Sequence, residues 1–376
     1  MFDEKELADI VRMFSTEGAV TGIRPLGPGY INDTFIVTTS GGPRYILQRK
    51  NHNVFPDIPG MMQNIDAVTS HLKKKVEEEG GDPLREAMTV IRRERDTMTP
   101  EQEQSMAGDL YFRDGRGNYW TMTLFIEGSI SYEKADTPEL AYKGGLGIGE
   151  FQTRLADFTG RLNETIKGFH DIRWRFRQWD EAIARDAAGR AASVHEETAW
   201  IESRRKEMLD FWSLVETGTI PVRVTHNDTK ISNILFDRES GDVLCAIDLD
   251  TCMSSTSLND FGDAIRSYTN TGKEDDTDLT KVSMSIEMFR AYTRGYMHFR
   301  KDSLTDIEKE YLAFSARYIT YEQVLRFLMD YIDGDTYYKT AYPEHNLVRA
   351  RAQNRLLESI ESQYGEMTAI VREYSK

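Results

Sequence analysis

The 376-residue sequence predicts an α+β protein with a small antiparallel sheet in its N-terminal part and a larger, mainly helical C-terminal part. Three observations support this class. Stretches rich in β-forming residues and separated by glycine turns fill much of residues 1–127. Apolar residues at helical spacing dominate the chain from Pro138 onward. One short strand–turn–strand segment, residues 234–248, interrupts the helical part. We therefore expect two lobes.

The composition is that of an ordinary globular protein, with 39% hydrophobic and 29% charged residues. Acidic residues outnumber basic ones by 62 to 47, and the net charge of −15 disfavours nucleic acid as a partner. No apolar run approaches the roughly 20 residues that span a bilayer, so no membrane association is expected. The N-terminus lacks a signal-peptide core and the chain holds two cysteines, which favours a cytoplasmic location. These totals leave the oligomeric state open.

The elements of the first 127 residues follow from local patterns. An amphipathic helix is predicted at the N-terminus, with Leu7, Ile10, Val11 and Phe14 on one stripe. Strands are predicted around residue 23 and over 33–39, 45–49, 110–114 and 118–128, with one long helix over 60–79. We expect residues 1–127 to form an N-terminal lobe and residues 128–376 to form a C-terminal lobe.

Three long stretches of the C-terminal part show helical spacing: residues 139–158, 178–215 and 278–297. The first contains the run Gly145-Leu146-Gly147-Ile148-Gly149, which is similar to a dinucleotide-binding fingerprint. That fingerprint requires a preceding strand, and here the run lies inside a helical pattern. We therefore predict that these glycines allow close packing of helices.

Residues 225–237, THNDTKISNILFD, carry the densest group of polar side chains beside an apolar strand. The strand that begins at Ile234 is predicted to form a hairpin that ends at Asp248. This hairpin would return Asp248 to the end of the strand where Asp228 and Asn233 lie. A lone His-x-Asp is usually a turn or a helix cap. The complete series of His226, Asp228 and Asn233, followed by a hairpin and a second Asp, is a much rarer pattern.

These residues match the chemistry of phosphoryl transfer, which depends mainly on positioning and electrostatics. Asp228 is the candidate base for an attacking hydroxyl, and Lys230 the cation that reaches the γ-phosphate of ATP. Asn233 and Asp248 would supply oxygen ligands, which Mg²⁺ prefers. His226 is expected to hold the loop by hydrogen bonds. Asp250 is expected near the site, either as a supporting group or as a further metal ligand.

The same segment resembles the catalytic motif of the aminoglycoside phosphotransferase and choline kinase superfamily, whose members are related to protein kinases. The resemblance extends to the order of elements along the chain, and it implies a two-lobed protein-kinase-like fold that uses ATP and Mg²⁺. Several segments are similar to the N-acetylhexosamine 1-kinase branch: YINDTFIV, YILQRKNHNVF, THNDTKISNILFD, AIDLDT and RFLMDYIDGDTYYK. This branch implies conversion of N-acetylglucosamine or N-acetylgalactosamine to the sugar 1-phosphate.

The resemblance also implies that residues 1–127 form the N-terminal nucleotide-binding lobe and residues 128–376 the C-terminal catalytic and acceptor-binding helical lobe. Superfamily relatives carry a phosphate-binding lysine on the third strand, but the aligned position here is Gln48, followed by Arg49. The sequence does not decide between these two, and Asp66 is one option for the acidic partner. The expected nucleotide-binding residues are the two loop glycines, an asparagine, these two strand residues and two connector residues: Gly27, Gly29, Asn32, Gln48, Arg49, Phe125 and Glu127.

Asp260-Phe261-Gly262 spells the metal-binding motif of protein kinases, yet it lies well beyond the hairpin. The position of Asp248 at the end of a strand favours that residue as the metal ligand. We expect Asp260, Asp263 and Arg266 to form a packing and ion-pair cluster behind the site.

Sugar recognition requires polar side chains beside aromatic rings. His170, Arg326, Asp330 and Tyr331 are the candidate acceptor-binding residues. Each assignment has an open alternative. His170 could instead be a structural loop residue. Arg326 and Asp330, one helical turn apart, could instead pair only with each other.

Two rival functions remain. The same fold can act on choline, an amino alcohol, an aminoglycoside or another sugar. Alternatively, the protein is a nucleotide-binding pseudokinase that serves as an interaction module, which the presence of Asp228, Asn233 and Asp248 together disfavours.

Overall fold

The computed structural model describes residues 2–27, 31–105 and 107–376. The helices are α1 Glu4–Val11, α2 Ile58–Glu79, α3 Pro100–Gln104, α4 Pro138–Arg154, α5 Ile172–Arg185, α6 His195–Glu216, α7 Ser257–Tyr268, α8 Ile286–Arg300, α9 Asp306–Ile332, α10 His345–Ser362 and α11 Tyr364–Tyr374. The strands are β1 Val20–Pro25, β2 Asp33–Thr39, β3 Tyr45–Lys50, β4 Phe112–Arg113, β5 Tyr119–Leu124, β6 Ser129–Ile130, β7 Arg223–Thr225, β8 Ile234–Asp237, β9 Val243–Ala246 and β10 Met253–Ser255.

The chain divides into two compact units, each built from separate stretches of sequence. The first, unit 1, comprises Met1–Ser131, Arg154–Lys167 and Ile234–Ser254, and the second, unit 2, comprises Tyr132–Thr153, Gly168–Asn233 and Ser255–Lys376. The predicted α+β class, with a small antiparallel sheet and a larger helical part, is confirmed. The predicted lobe boundary between residues 127 and 128 stays a prediction.

Unit 1 contains a five-stranded antiparallel sheet with the order β1-β2-β3-β5-β4. The predicted strand 33–39 is confirmed, and the third strand extends one residue beyond the prediction, to Lys50. Helix α1 packs Leu7, Ile10 and Val11 of its predicted apolar stripe against this sheet. Phe14 joins the same apolar core but lies beyond the end of the helix, in a bridge with Arg93. Removing this apolar surface from water is the main stabilisation of the sheet.

The predicted long helix is α2, and its ends follow ordinary capping rules. The Asp57 side chain accepts a hydrogen bond from the Gly60 N–H at the start of the helix. Gly80 ends the helix with a left-handed φ of 80°, a conformation that glycine adopts without steric cost.

Unit 1 also contains a three-stranded sheet with the order β6-β8-β9. The predicted hairpin of residues 234–248 is its antiparallel pair β8 and β9, which brings Ile234 opposite Ala246. Ile126, Leu244 and Cys245 form its small apolar core. The hairpin therefore delivers Asp248 just beyond the end of β9.

Unit 2 is helical, and α9 lies at its centre, in contact with α5, α6, α7, α10 and α11. The predicted helical stretch 178–215 is divided between α5 and α6, because Asp186 ends α5 with a left-handed φ of 42°. The predicted stretch 278–297 becomes helical only from Ile286 onward. Among the described residues, none of the helices combines the length and apolar character that crossing a bilayer requires.

The glycine run of α4 lies where this helix meets α8, as the sequence predicted. A Cβ at Gly145 would overlap the Tyr292 carbonyl oxygen, and one at Gly149 would lie 2.8 Å from the Tyr296 carbonyl oxygen. On the other helix, a Cβ at Gly295 would overlap the Tyr142 carbonyl oxygen. The glycines therefore allow the two backbones to approach more closely than any side chain would permit.

This contact makes a first prediction. Gly145→Ala should lower the free energy of unfolding by about 2–3 kcal/mol, because overpacking a rigid backbone contact forces the helices apart. The matched control is Gly365→Ala in α11, where a new methyl group would meet nothing within 4 Å. That change should be neutral or raise the free energy of unfolding by about 0.5 kcal/mol. Urea denaturation of both variants checks the pair, and equal effects would contradict close packing at Gly145.

Candidate active site

Residues 226–233 form a loop in unit 2, and buried carboxylates on α7 hold its backbone. Asp260 accepts hydrogen bonds from the N–H groups of His226 and Asn227, at 3.0 and 2.7 Å. Asp263 accepts from the Thr229 N–H at 2.9 Å. Asn227 has a left-handed φ of 64°, which is uncommon for a residue with a side chain. The two carboxylates therefore fix an unusual backbone conformation immediately before Asp228.

The pKa values of these two carboxyl groups shift in opposite directions. Burial raises the pKa of Asp260 above its usual range, although His226 and the N–H donors oppose this shift. Burial alone would also raise the pKa of Asp263, but Arg266, His170 and the Thr229 N–H together hold that pKa below its usual range. Arg266 pairs directly with Asp263 at 3.1 Å. The cluster expected behind the site is therefore present, and it contacts the loop itself.

Three of the predicted site residues meet within this loop. The Asn233 Nδ2 group donates to the Asp228 carbonyl oxygen at 2.8 Å and to Asp228 Oδ2 at 3.1 Å. Lys230 Nζ lies 3.1 Å from the same Oδ2 atom. The Asp228 side chain is 26% exposed, so its carboxylate remains accessible to a substrate. A positioned, accessible carboxylate beside a cation is suited to accepting a proton from a hydroxyl group.

His226 is fully buried and its ring packs edge-on against Phe151. Its Nδ1 atom accepts a long hydrogen bond, 3.3 Å, from the Asp228 N–H. This geometry matches the expectation that His226 holds the loop rather than contacting a substrate.

Asp248 follows β9 in unit 1 and has φ 59° and ψ 55°, the left-handed region. A residue with a side chain is rarely held there, and such strain is concentrated at functional sites. The position at the end of the hairpin agrees with the sequence prediction. No three His, Cys, Asp or Glu side chains within residues 2–27, 31–105 and 107–376 form a cluster that would hold a metal. The magnesium site built from Asn233 and Asp248 therefore stays a prediction.

The main residue that the sequence reasoning missed is Lys50, the last residue of β3. Its Nζ atom lies 2.7 and 2.8 Å from the two carboxylate oxygens of Asp250, and 2.7 Å from Gln48 Oε1. Asn32 Nδ2 donates to the same carboxylate at 2.8 Å. Lys50, Asp250 and Asn32 are all at least nine-tenths buried. Unit 1 therefore contains a buried lysine–carboxylate pair at Lys50, whereas the sequence offered Gln48 or Arg49 for the lysine position.

The two residues named for the lysine position have other partners. Arg49 points to the opposite face of the sheet, where it donates to Asp33 Oδ2 at 2.7 Å and to Asn118 at 3.3 Å. Gln48 accepts from Lys50 and donates to Thr34 Oγ1 at 3.3 Å, so it supports the lysine. Asp66, the suggested acidic partner, pairs instead with Arg92.

The remaining nucleotide-binding predictions lie in the first loop and the connector. Gly27 has a left-handed φ of 66°, whereas Gly29 lies outside the described residues. The Phe125 N–H donates to the Arg44 carbonyl oxygen, and Arg44 stacks over the Phe125 ring at 4.1 Å. The Glu127 carboxylate pairs with Arg44 and its carbonyl oxygen accepts from Arg85. These groups already have partners within unit 1.

His170 in unit 2 is buried, with a left-handed φ of 59°. Its Nδ1 atom lies 2.6 Å from Glu322, a carboxylate that also accepts from Arg175 at 3.1 Å. Burial alone would raise the pKa of Glu322, but His170, Arg175 and Arg326 hold it well below its usual range. His170 also contributes to lowering the pKa of Asp263, the carboxylate that accepts from the Thr229 N–H of the loop.

Arg326 and Asp330 do not pair with each other. Asp330 accepts from the backbone N–H groups of Thr336, Tyr337 and Tyr338 and thereby fixes the segment after α9. Arg326 instead lies among aromatic rings, 5.7 Å from Phe169, 5.8 Å from Tyr337 and 5.6 Å from Tyr338.

Tyr331 is also buried, at 5% exposure, and its ring packs against Arg190. Together with the backbone contacts of Asp330, this leaves Arg326 as the acceptor-binding candidate with a partly exposed side chain.

The loop of unit 2 thus holds an accessible carboxylate beside a lysine, an arrangement suited to the transfer of phosphate to a hydroxyl acceptor. The chain belongs to the phosphotransferase enzyme family, whose family model matches residues 22–283.

Solved structures of several small-molecule kinases are similar to this chain in fold. A microcompartment-associated aminopropanol kinase matches with a TM-score of 0.60 and 18% identity, covering 97% of this chain and 99% of that chain. An amicoumacin kinase in complex with AMP-PNP and Ca²⁺ matches with a TM-score of 0.60 and 13% identity, covering 95% and 94% of the two chains. The choline kinase of Streptococcus pneumoniae matches with a TM-score of 0.51 and 13% identity, covering 96% and 97%. At these identities the likeness shows the fold alone.

Proposed function

We propose that the protein is an ATP- and Mg²⁺-dependent kinase that phosphorylates the anomeric hydroxyl group of N-acetylglucosamine or N-acetylgalactosamine. The observation that carries the proposal is the geometry of Asp228, whose carboxylate is fixed by Asn233 and Lys230. The N-acetylhexosamine branch is favoured by the sequence segments that resemble it.

In the proposed reaction, the Asp228 carboxylate accepts the proton of the anomeric hydroxyl as its oxygen attacks the γ-phosphorus atom of ATP. The bond between that phosphorus and the bridging oxygen breaks, and ADP leaves with the bonding electrons. General base catalysis of this kind contributes roughly 10²–10⁴-fold to the rate. Lys230 stands beside the carboxylate and offsets negative charge on the transferring group.

The donor set fits Mg²⁺. Asn233 directs its amide nitrogen to Asp228, and we propose that its carbonyl oxygen serves as a metal ligand. The strained left-handed backbone of Asp248 holds a carboxylate at the end of the hairpin. Hard oxygen ligands of this kind suit Mg²⁺, which keeps several water ligands. When bound, Mg²⁺ would neutralise charge on the phosphates of ATP.

Lys50 is the proposed contact to the α- and β-phosphates of ATP. Asp250 holds its ammonium group in place, and Gln48 and Asn32 complete the cluster. The backbone of the loop at Gly27 and Gly29 would cover the phosphates. Phe125 and Glu127 are proposed to border the adenine ring.

The Arg326 cluster bears on the choice of acceptor. Ammonium acceptors such as choline bind over aromatic faces. In unit 2 the faces of Phe169, Tyr337 and Tyr338 already surround a guanidinium group. A second cation there would be repelled, whereas the N–H groups of Arg326 suit the hydroxyl and acetamido oxygens of a neutral sugar. With His170 held on Glu322, this cluster favours a neutral acceptor over choline, an amino alcohol or an aminoglycoside.

The proposal is tested by coupling ADP formation to a panel of acceptors at saturating Mg·ATP. The panel holds N-acetylglucosamine, N-acetylgalactosamine, glucose, galactose, choline, ethanolamine and kanamycin. We expect kcat/KM to be highest for the two N-acetylhexosamines and activity to vanish when EDTA removes the metal. A higher kcat/KM for any ammonium acceptor would overturn the sugar assignment while leaving the enzyme class intact.

A variant sharpens this test. Arg326→Met should lower kcat/KM for the preferred sugar about 10–100-fold, the loss expected for one or two hydrogen bonds from a charged donor. The matched control is Arg294→Met, which removes an exposed arginine that lies 4.3 Å over the Tyr142 ring. The control should leave kcat/KM within about twofold of wild type. An equal response of both variants would remove Arg326 from the acceptor site.

A further inference from the structure

Gln152 lies on the face of α4 that carries Gly145 and Gly149, one or two helical turns further along. Because these glycines allow α8 to approach closely, Tyr296 of α8 comes within hydrogen-bond distance of the Gln152 side chain. Gln152 is only 3% exposed. Its burial between helices means that every hydrogen bond of its amide group is made inside the protein.

Both ends of the Gln152 amide are engaged. Tyr296 donates its hydroxyl proton to Gln152 Oε1 at 2.7 Å, and Gln152 Nε2 donates to Asp260 Oδ2 at 2.7 Å. The tyrosine hydroxyl therefore fixes which way the amide points, and the nitrogen is left for the carboxylate. The same Oδ2 atom accepts from the His226 N–H, so Gln152 and the loop backbone share one oxygen.

We propose that Gln152, oriented by Tyr296, is a positioning residue that holds Asp260 under the backbone of the loop and so keeps Asp228 in place. Asp260 is fully buried and receives three donated hydrogens: from Gln152, His226 and Asn227. Three donors around one carboxyl group favour its ionised form. Without Gln152, a larger fraction of Asp260 is protonated, and a protonated carboxyl group has one oxygen fewer to accept from the loop N–H groups. The backbone at Asn227, just before Asp228, is then no longer held in its left-handed conformation.

Other titratable groups also face Asp260, and they enter the expected pH dependence. His226 lies on the loop, Asp263 on the same helix, and Tyr292 and Tyr296 on α8. Burial raises the pKa of Asp260 in the wild-type protein, and His226 and the donors counter it. Removing a donor raises this pKa further, so the ionised form, and with it activity, is lost at a higher pH than in wild type as the pH falls.

Three variants test the proposal, each assayed with the acceptor that gives the highest rate, so the outcome does not depend on which acceptor is used. Gln152→Leu removes the donor, and its acidic limb of log kcat against pH should move to higher pH. Gln152→Glu is close in shape but places a second carboxyl group beside Asp260. The carboxyl groups of Glu at position 152 and of Asp260 then share one proton. Because that proton is lost as the pH rises, the donor to Asp260 is lost with it, and kcat should fall. Tyr296→Phe removes only the orienting hydroxyl and should shift the acidic limb in the same direction as Gln152→Leu, by less.

A second readout does not require activity. Hydrogen exchange of a peptide that covers residues 223–233 should be faster in Gln152→Leu and Tyr296→Phe than in wild type. The positioning role would be established by three results together: an acidic limb at higher pH in Gln152→Leu, a kcat that falls with rising pH in Gln152→Glu, and faster exchange. Unchanged pH profiles and unchanged exchange in folded variants would overturn it, even if kcat fell. If no acceptor supports turnover, the proposed function fails, and the exchange rates alone decide whether Gln152 positions the loop.

Discussion

Asp228→Asn should lower kcat by about 10³-fold while leaving the protein folded. The amide keeps the shape of the carboxylate but cannot accept a proton, and general base catalysis is worth roughly 10²–10⁴-fold. KM for ATP should change little, because the proposed phosphate contacts are made by other residues. Steady-state kinetics with the preferred acceptor and a thermal unfolding scan give both quantities.

The matched control is Asp210→Asn in α6, an exposed aspartate that pairs with Lys206. Surface pairs of this kind contribute little, so kcat and the unfolding temperature should stay at wild-type values. Full activity in Asp228→Asn would exclude Asp228 as the base. A loss of activity with a strongly lowered unfolding temperature would instead mean that the residue is needed for folding.

Lys50→Met should have the second largest effect, on both ATP binding and stability. The change leaves the Asp250 carboxylate buried without its cation, which costs roughly 3–5 kcal/mol. Asn32 still donates to that carboxylate, so we expect the lower end of this range. KM for ATP should rise and kcat should fall, because the proposed contact to the α- and β-phosphates is lost.

Two further variants separate these effects. Lys50→Met combined with Asp250→Leu removes the buried charge as well, so the free energy of unfolding should recover while KM for ATP stays high. Arg49→Met, on the opposite face of the strand, should leave KM for ATP within about twofold of wild type. A larger effect of Arg49→Met than of Lys50→Met would restore Arg49 as the phosphate contact.

The local patterns that predicted most elements are short-range, which is why they succeeded. The strand 33–39 is rich in β-forming residues, and α2 shows helical spacing between a capping aspartate and a terminal glycine. The glycine run of α4 was assigned to helix packing because no strand precedes it. For the strand and for α2, the deciding interactions lie within a few residues of one another in the chain.

The sequence did not single out Lys50, because the identities of its neighbours in the chain do not indicate that it is buried. A lysine at the end of a strand, flanked by Arg49 and Asn51, resembles an exposed residue. Its partner, Asp250, lies 200 positions away. The one available signal was the strand alternation, which places Lys50 on the same face as Gln48.

The predicted acceptor-binding residues show a similar limit of sequence-based prediction. Asp330 has the chemistry of a sugar contact, yet its oxygens accept three consecutive backbone N–H groups from residues 336–338. Gln152 carried no signal at all, since a glutamine on a helix is usually exposed. Roles that depend on which groups meet across distant parts of the chain require the structure.

The proposed reaction is the transfer of the γ-phosphate of ATP to the anomeric oxygen of an N-acetylhexosamine. Phosphorus NMR of a reaction containing Mg·ATP and N-acetylglucosamine tests it most directly. We expect ADP and a new phosphomonoester signal that couples to the anomeric proton, and neither product with Asp228→Asn. A phosphomonoester that couples instead to the protons on carbon 6, or the absence of any phosphorylated sugar at full ATP saturation, would contradict the account.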